Sequence, residues 1–232
     1  MKLLQHLKDQ LKTLSPEEGL AFVANMFPGR AKFSSSMGQE DQVLTEMITR
    51  SNLPISVFTI DTGRLFNEIY DLIDRTESLY KIKIDIYFPQ GEEVENMVNK
   101  KGINLFYESV ENRITCCGIR KVEPLNRALQ GADIWITGLR STQTTHRADL
   151  PVIEWLPEKN LYKYNPLLKW SYEDVTSHLE KYSVPYNSLH DKGFISIGCA
   201  PCTRAISPGE DPRAGRWWWE LSHKECGLHI VK

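Results

Sequence analysis

The chain has 232 residues, 41% hydrophobic and 25% charged, the ordinary mix of a globular protein. That content of apolar side chains excludes a wholly disordered chain, and the length suits one large domain or one domain with a short appendage. Lys and Arg number 28 against 30 Asp and Glu, so the net charge of −2 provides no global basic field for DNA or RNA.

The pattern starts helical. Leu3, Leu4, Leu7, Leu11 and Leu14 recur at helical spacing. Met1 to Lys12 alternates apolar and charged residues, unlike a secretory leader, and no apolar run approaches the ~18 residues of a membrane helix, so a cytoplasmic protein is expected. Ser15-Pro16-Glu17-Glu18 reads as a capped helix start. From residue 30 strands and helices alternate. Strands are expected at Ala31–Ser34, Ile55–Ile60, Lys81–Phe88 (Ile82, Ile84 and Ile86 on one face) and Ala132–Thr137. Helices are expected at Gln39–Arg50, Leu65–Tyr80, Glu92–Lys101, Arg120–Leu129 and Ser171–Tyr182. Such alternation argues for an α/β fold: a mostly parallel sheet with helices on both faces. Ligands of such sheets bind beyond the carboxyl ends of the strands. The last stretch, 207–232, is rich in Gly, Pro, Arg and Trp and reads as a separate tail, wrapped over the body or mobile; the body is 1–206.

Several polar segments follow strands. Ser34-Ser35-Ser36-Met37-Gly38 leads into a helix, an arrangement that can hold an anion on hydroxyls and backbone N–H groups; a plain Ser-rich turn fits it too. Asp61-Thr62-Gly63-Arg64 offers an acceptor and a cation, or an ordinary turn. Arg120, Lys121, Arg140, His146, Arg147, Arg204, Arg213 and Arg216 cluster beside these motifs and suggest a local pocket for a multiply charged anion.

Five cysteines in two tight pairs plus one make a poor disulfide framework. Cys116-Cys117 and Cys199-x-x-Cys202 can form one thiolate site, and spacing alone leaves zinc and a 4Fe–4S cluster open. Cys226 stands near the end beside Gly227, either as an exposed nucleophile or as an incidental thiol; Lys224 and His229 are candidates to help ionise it.

Together these segments resemble the assimilatory sulfonucleotide reductases, specifically the iron–sulfur, thioredoxin-dependent adenylyl-sulfate (APS) reductases. The likeness runs through Ser34–Asp41, Asp61-Thr62-Gly63-Arg64, Cys116-Cys117-Gly118-Ile119-Arg120-Lys121, Thr137-Gly138-Leu139-Arg140, Ser196-Ile197-Gly198-Cys199 to Arg204, Arg213-Ala214-Gly215-Arg216-Trp217-Trp218-Trp219-Glu220 and Glu225-Cys226-Gly227-Leu228-His229. It spans about residues 20 to 229. It implies an adenine-nucleotide α-hydrolase-like fold related to the ATP pyrophosphatases. It also implies a 4Fe–4S cluster on Cys116, Cys117, Cys199 and Cys202, with Cys226 as the catalytic nucleophile. Lys121, Arg213, Arg216 and His229 would then hold the phosphosulfate. Ser34, Ser35, Ser36, Gly38, Asp61, Gly63 and Arg64 would surround the nucleotide, with Arg140 nearby. One departure is local: the family commonly continues Thr-Gly-Leu-Arg with Arg and Glu-Gln-Ser, whereas Arg140 precedes Ser141-Thr142-Gln143-Thr144.

The resemblance implies reductive cleavage of APS to sulfite and AMP through a Cys226 S-sulfonate, with thioredoxin or glutaredoxin as reductant and neither nucleic acid nor membrane as partner. The oligomeric state is not fixed by the sequence, and a homo-oligomer stays open. Three other readings are a reductase of the 3′-phosphorylated substrate PAPS or of both APS and PAPS, an ATP pyrophosphatase and a zinc-stabilised binding module. The paired cysteines favour APS over PAPS, the tail motifs disfavour the pyrophosphatase, and the zinc module leaves Cys226 without a purpose.

Overall fold

The structure is a computed structural model and describes residues 2–144 and 147–220. Helices α1 (Lys2–Leu11) and α2 (Pro16–Met26) precede β1 (Ala31–Ser34), α3 (Gln39–Arg50), β2 (Ser56–Ile60), α4 (Asn67–Tyr80), β3 (Asp85–Tyr87) and α5 (Gly91–Lys101). Then come α6 (Val110–Cys117), α7 (Glu123–Ala128), β4 (Ile134–Ile136), β5 (Ile153–Leu156), β6 (Leu161–Tyr164) and α8 (Tyr172–Lys181). Ser15 and Ser171 each close a capping box, with Glu18 and Asp174, and so satisfy backbone groups that open helix ends leave bare.

The six strands run in the order β3-β2-β1-β4-β6-β5. β1 pairs in parallel with β2 and β4, β4 pairs in parallel with β6, and β5 and β6 form an antiparallel hairpin. Phe33, Phe58, Ile134, Trp135 and Ile136 are buried on these strands, and Val43 and Leu44 on α3. Strand order reverses between β1 and β4. Their carboxyl ends therefore flank a topological switch point, the place where open α/β sheets hold ligands. Ser34 ends β1, and Thr137 follows β4.

Three segments differ from the sequence pattern. The strand expected over Lys81–Phe88 contracts to β3, because Lys81 turns the chain at φ +56° and Ile84 N–H is taken by the Glu77 carboxylate at 2.8 Å. The β5–β6 hairpin was not anticipated; Asn160, at φ +52°, lies in its turn. The helix expected from Arg120 begins instead at Val110, capped by the Ser109 hydroxyl. It widens into one π turn at Gly118–Val122, where Glu123 N–H reaches Gly118 C=O, before continuing as α7. Pro124, with no N–H to give, sits at the start of α7 and accounts for the break in the regular ladder.

The chain divides into two compact units. The first comprises Met1–Thr59, Asp71–Asp85 and Gly131–Asn187; the second comprises Ile60–Tyr70, Ile86–Gln130 and the chain from Ser188. The described part of the tail, 207–220, thus groups with the cysteine pairs. Among the described residues no helix is long and apolar enough to cross a membrane.

Candidate functional site

The residues singled out by the sequence fall into two groups, one in each unit. In the first unit the Ser-rich loop folds upon itself. Ser34 Oγ accepts the Trp135 indole N–H at 2.7 Å. Ser35 Oγ accepts Met37 N–H at 3.1 Å, which steadies Met37 at φ +60°. Ser36 gives both its N–H and its hydroxyl to Asp41 Oδ2, at 2.6 Å each. Gly38 caps α3 through its backbone. Asp41 is buried, and that burial pushes its carboxyl up to about 6 against the opposing pull of the Ser36 hydrogen bonds, with the Glu40 charge adding to the rise. Its carboxylate packs on Gly138, where any side chain would collide with it.

Arg140 lies in the same unit and is fully engaged. Its Nε meets Glu40 at 2.9 Å, its Nη1 donates to Thr142 Oγ1 at 2.6 Å, and its guanidinium lies 5.7 Å from the Tyr172 ring. Gln143 donates to the same Glu40 oxygen at 2.9 Å and accepts from Arg140 N–H and Arg147. The residues that depart from the family pattern thus build a closed network around Glu40.

The second unit gathers the cysteines. Cys116 and Cys117 end α6, and the π turn carries Arg120 and Lys121 onward to the same cavity. Cys199 and Cys202 flank a single 3₁₀ turn, closed by Cys202 N–H to Cys199 C=O at 2.9 Å. All four thiols line one cavity, open in part to solvent, together with Arg64, Phe106, Arg113, Arg120, Lys121 and Trp217. Burial pushes the Cys202 thiol up to about 12, with the neighbouring Cys199 and Cys117 reinforcing the rise. Cys116 is pushed up mainly by burial, against the pull of Arg120 and Lys121.

The donor set tests which metal group fits. Cys116, Cys117, Cys199 and Cys202 line one shared cavity, and four cysteine thiolates are the ligand set that a 4Fe–4S cluster takes. Cations at the cavity wall suit an anionic thiolate cluster. The residues present fit a 4Fe–4S group.

The loop Asp61–Arg64 adjoins this cavity, with Arg64 in its wall. Asp61 accepts Gly63 N–H at 2.7 Å, an Asx turn that Gly63 permits at φ +69°. Thr62 Oγ1 lies 3.3 Å from Cys199 Sγ, and Thr62 C=O accepts Arg120 Nη1 at 2.6 Å. Arg64 holds Ile103 C=O and Asn104 Oδ1 at 3.1 and 3.0 Å, and its C=O accepts Ala200 N–H. This loop, expected around the nucleotide, is tied to the cysteine turn.

The described end of the tail is buried here as well. Trp217 lies at φ +41°, with the guanidiniums of Arg113 and Arg216 each 4.7 Å from its ring and that of Arg213 5.9 Å away. Arg113 Nε pairs with Glu220 at 2.6 Å, both side chains buried. Arg113, Trp217 and Glu220 had no assigned role in the expected site, and cavity lining identifies Arg113 and Trp217. Thr62 and Arg120 lay in the expected polar segments, and it is their contacts with Cys199 and with each other that show their place. Cys226 and His229 lie outside the described residues, as does His146.

Fold and site define an α/β protein with a mostly parallel sheet and a thiol-lined, cationic cavity. A family model described as the phosphoadenosine phosphosulfate reductase domain matches residues 30–205, and the chain belongs to that family. It is 50% identical over 227 residues to an adenosine 5′-phosphosulfate reductase of Sinorhizobium fredii, covering 97% of this chain and 90% of that one. The corresponding protein of Allochromatium vinosum is 52% identical over 198 residues, covering 85% and 77%. A phosphoadenylyl-sulfate reductase of Candida auris, solved with phosphate, superposes with TM-score 0.74 at 32% identity, covering 85% of this chain and 94% of that one. An FMN adenylyltransferase of Candida glabrata, at 16% identity and TM-score 0.56 over 97% of this chain and 76% of that one, shares the fold alone.

Proposed function

We propose that this chain reductively cleaves APS to sulfite and AMP in sulfate assimilation. The observation that carries this reading is the convergence of Cys116, Cys117, Cys199 and Cys202 on one cation-walled cavity. It does so in a chain about half identical to proteins named for that substrate. APS is preferred to PAPS because identity to the PAPS-named structure is 32%, against 50% and 52% for the two APS-named relatives.

The Cys226 thiolate attacks the sulfur of the sulfo group. The S–O bond to phosphate breaks, its electron pair leaves with AMP, and Cys226 carries an S-sulfonate. Lys121, Arg213, Arg216 and His229 offset the repulsion between thiolate and anionic substrate and hold the phosphate charge that develops. Ser34, Ser35, Ser36, Gly38 and Arg140 are assigned to the nucleotide side. A dithiol protein, thioredoxin or glutaredoxin, then attacks the Cys226 sulfur and sulfite departs. The partner's second thiol resolves the mixed disulfide, so both electrons come from the dithiol. Cys116, Cys117, Cys199 and Cys202 would hold a 4Fe–4S cluster, which would supply a fixed electrostatic centre without a change of oxidation state. A reducing cytoplasm suits this thiol chemistry.

Intact mass after anaerobic incubation with APS and no reductant tests the reading. Wild type gains one sulfonate and Cys226→Ser gains none. Iron-loaded wild type that binds APS yet gains nothing removes the mechanism.

A further inference from the structure

Arg216 is one of the most deeply buried cations of the second unit, 5% exposed. Among the described residues no carboxylate pairs with it, and its Nε has no acceptor. Its Nη1 reaches only the Ser196 hydroxyl at 3.4 Å and Ile197 C=O at 3.3 Å. Arg213 Nη1 points at the same hydroxyl, at 3.5 Å. Two guanidiniums that repel each other thus share one neutral acceptor. The guanidinium of Arg216 also lies against the Cα of Gly198. A methyl group there would stand 2.6 Å from Cζ and 3.1 Å from Nη1, and closer still to Nη2. Gly198 does not have the positive φ that would demand glycine for backbone reasons. Its lack of a side chain serves the arginine.

We propose that Ser196 and Gly198 are positioning residues: they form the seat that holds Arg216, with Arg213 on the same hydroxyl, for the anionic sulfo-phosphate end of the substrate. A buried cation without a counter-ion is costly, and an anion that arrives with the substrate offsets the cost. The planar guanidinium presents its donors as a fixed fork, so its orientation matters as much as its charge. The hydroxyl contributes orientation and the bare Cα contributes room. The proposal rests on the APS reading given above.

The test is a double-mutant cycle on iron-loaded protein in a Cys226→Ser background, where APS binds without being consumed. Calorimetry reads the affinity for APS and for adenosine, which lacks the anionic end. Gly198→Ala should weaken APS binding about 30-fold, the scale of a lost charge-assisted hydrogen bond, and leave adenosine binding unchanged. In an Arg216→Ala background the same change should cost less than about twofold, because the group it displaces is gone. Ser196→Ala should cost about threefold, and Ser196→Thr should restore it; this gentler pair keeps the proposal open to refutation if Gly198→Ala folds poorly. Additive losses in the cycle, equal losses for adenosine, or a fall in iron content matching the fall in affinity would each overturn the seat. The last would assign Arg216 to the Cys202 thiolate, which its charge also reaches. Wild type that binds no APS would overturn the function itself, an outcome distinct from additive variants of an APS-binding protein.

Discussion

Arg140 and Arg216 are two arginines, each in a different unit, 6% and 5% exposed. Arg140 is surrounded by what a buried guanidinium needs: Glu40, Thr142 and the face of Tyr172. Arg216 has a hydroxyl, one carbonyl, the ring of Trp217 and a donor without an acceptor. The same contrast holds for their surroundings. The Ser34–Asp41 loop satisfies itself through Trp135 and Asp41, whereas the cysteine cavity gathers four thiols with Arg64, Arg113, Arg120 and Lys121, and Arg113 is paired with Glu220. Polar residues in a motif do not by themselves mark a ligand. Buried polar groups left short of partners do, because the fold bears their desolvation for something absent from the chain.

The largest expected effect tests whether the second region depends on a cluster. Cys199→Ser should lose its iron and at least about 100-fold of its activity, the scale on which metal sites respond to damaged ligation. Arg140→Met should keep its iron. Iron analysis and the visible spectrum check both. Next comes the buried pair of Arg113 and Glu220, which fastens the described end of the tail to α6. Glu220→Ala leaves a buried guanidinium unpaired and should cost about 3–5 kcal/mol. For a chain of this length that lowers the melting temperature by roughly 10 °C. The double variant Arg113→Met with Glu220→Leu should recover most of it. A loss under about 1 kcal/mol in Glu220→Ala would show that the pair is dispensable.

Much of this contrast was invisible in the sequence. The alternation of strands and helices was legible because apolar runs such as Ile55–Ile60 and periodic ones such as Gln39–Arg50 each carry one signal. The β5–β6 hairpin was not, since its Trp, Tyr, Lys and Glu side chains alternate without a clean apolar face. Helix α6 hid for a related reason: Val-Glu-Asn-Arg-Ile-Thr-Cys-Cys offers little apolar period, and only Ser109 hints at its start. At the site, the cysteine pairs were legible as chemistry. Their meeting on one cavity was not legible from spacing alone, because a vicinal pair commonly splays. The helix end followed by a π turn brings both to one wall. The partner of Arg140 stands 100 residues upstream, and the reason for Gly198 stands 18 residues downstream. Neither distance leaves a local trace.

Asp41 sharpens the comparison through pH. Its carboxyl is raised from the ordinary 3.8 to about 6, chiefly by burial. A raised folded value means that its contribution to stability is complete below about pH 4 and is lost as pH rises through 6. The displacement amounts to roughly 3 kcal/mol at most, a few degrees of melting temperature. Asp41→Asn removes the titration while keeping an acceptor for Ser36. The melting temperature of wild type relative to the variant should therefore fall between pH 4 and 6 and stay level above. A difference independent of pH would mean that the loop accommodates the Asp41 carboxylate as well as water does.

The smallest effect concerns the two arginines themselves and is a matter of sign. Arg140→Met removes a paired cation and leaves Glu40 with Gln143 alone, so it should destabilise by about 2 kcal/mol. Arg216→Met removes an unpaired buried cation and puts an apolar chain of similar length beside Trp217. Without substrate it should leave stability unchanged or raise it by about 1 kcal/mol, while APS binding weakens but stays measurable. Thermal unfolding of the iron-loaded, ligand-free proteins measures both changes under one set of conditions. Equal losses in the two variants would mean that Arg216 already has an internal counter-charge of the same worth as Glu40. Its seat would then be structural, and the two regions would differ in motif but not in physics.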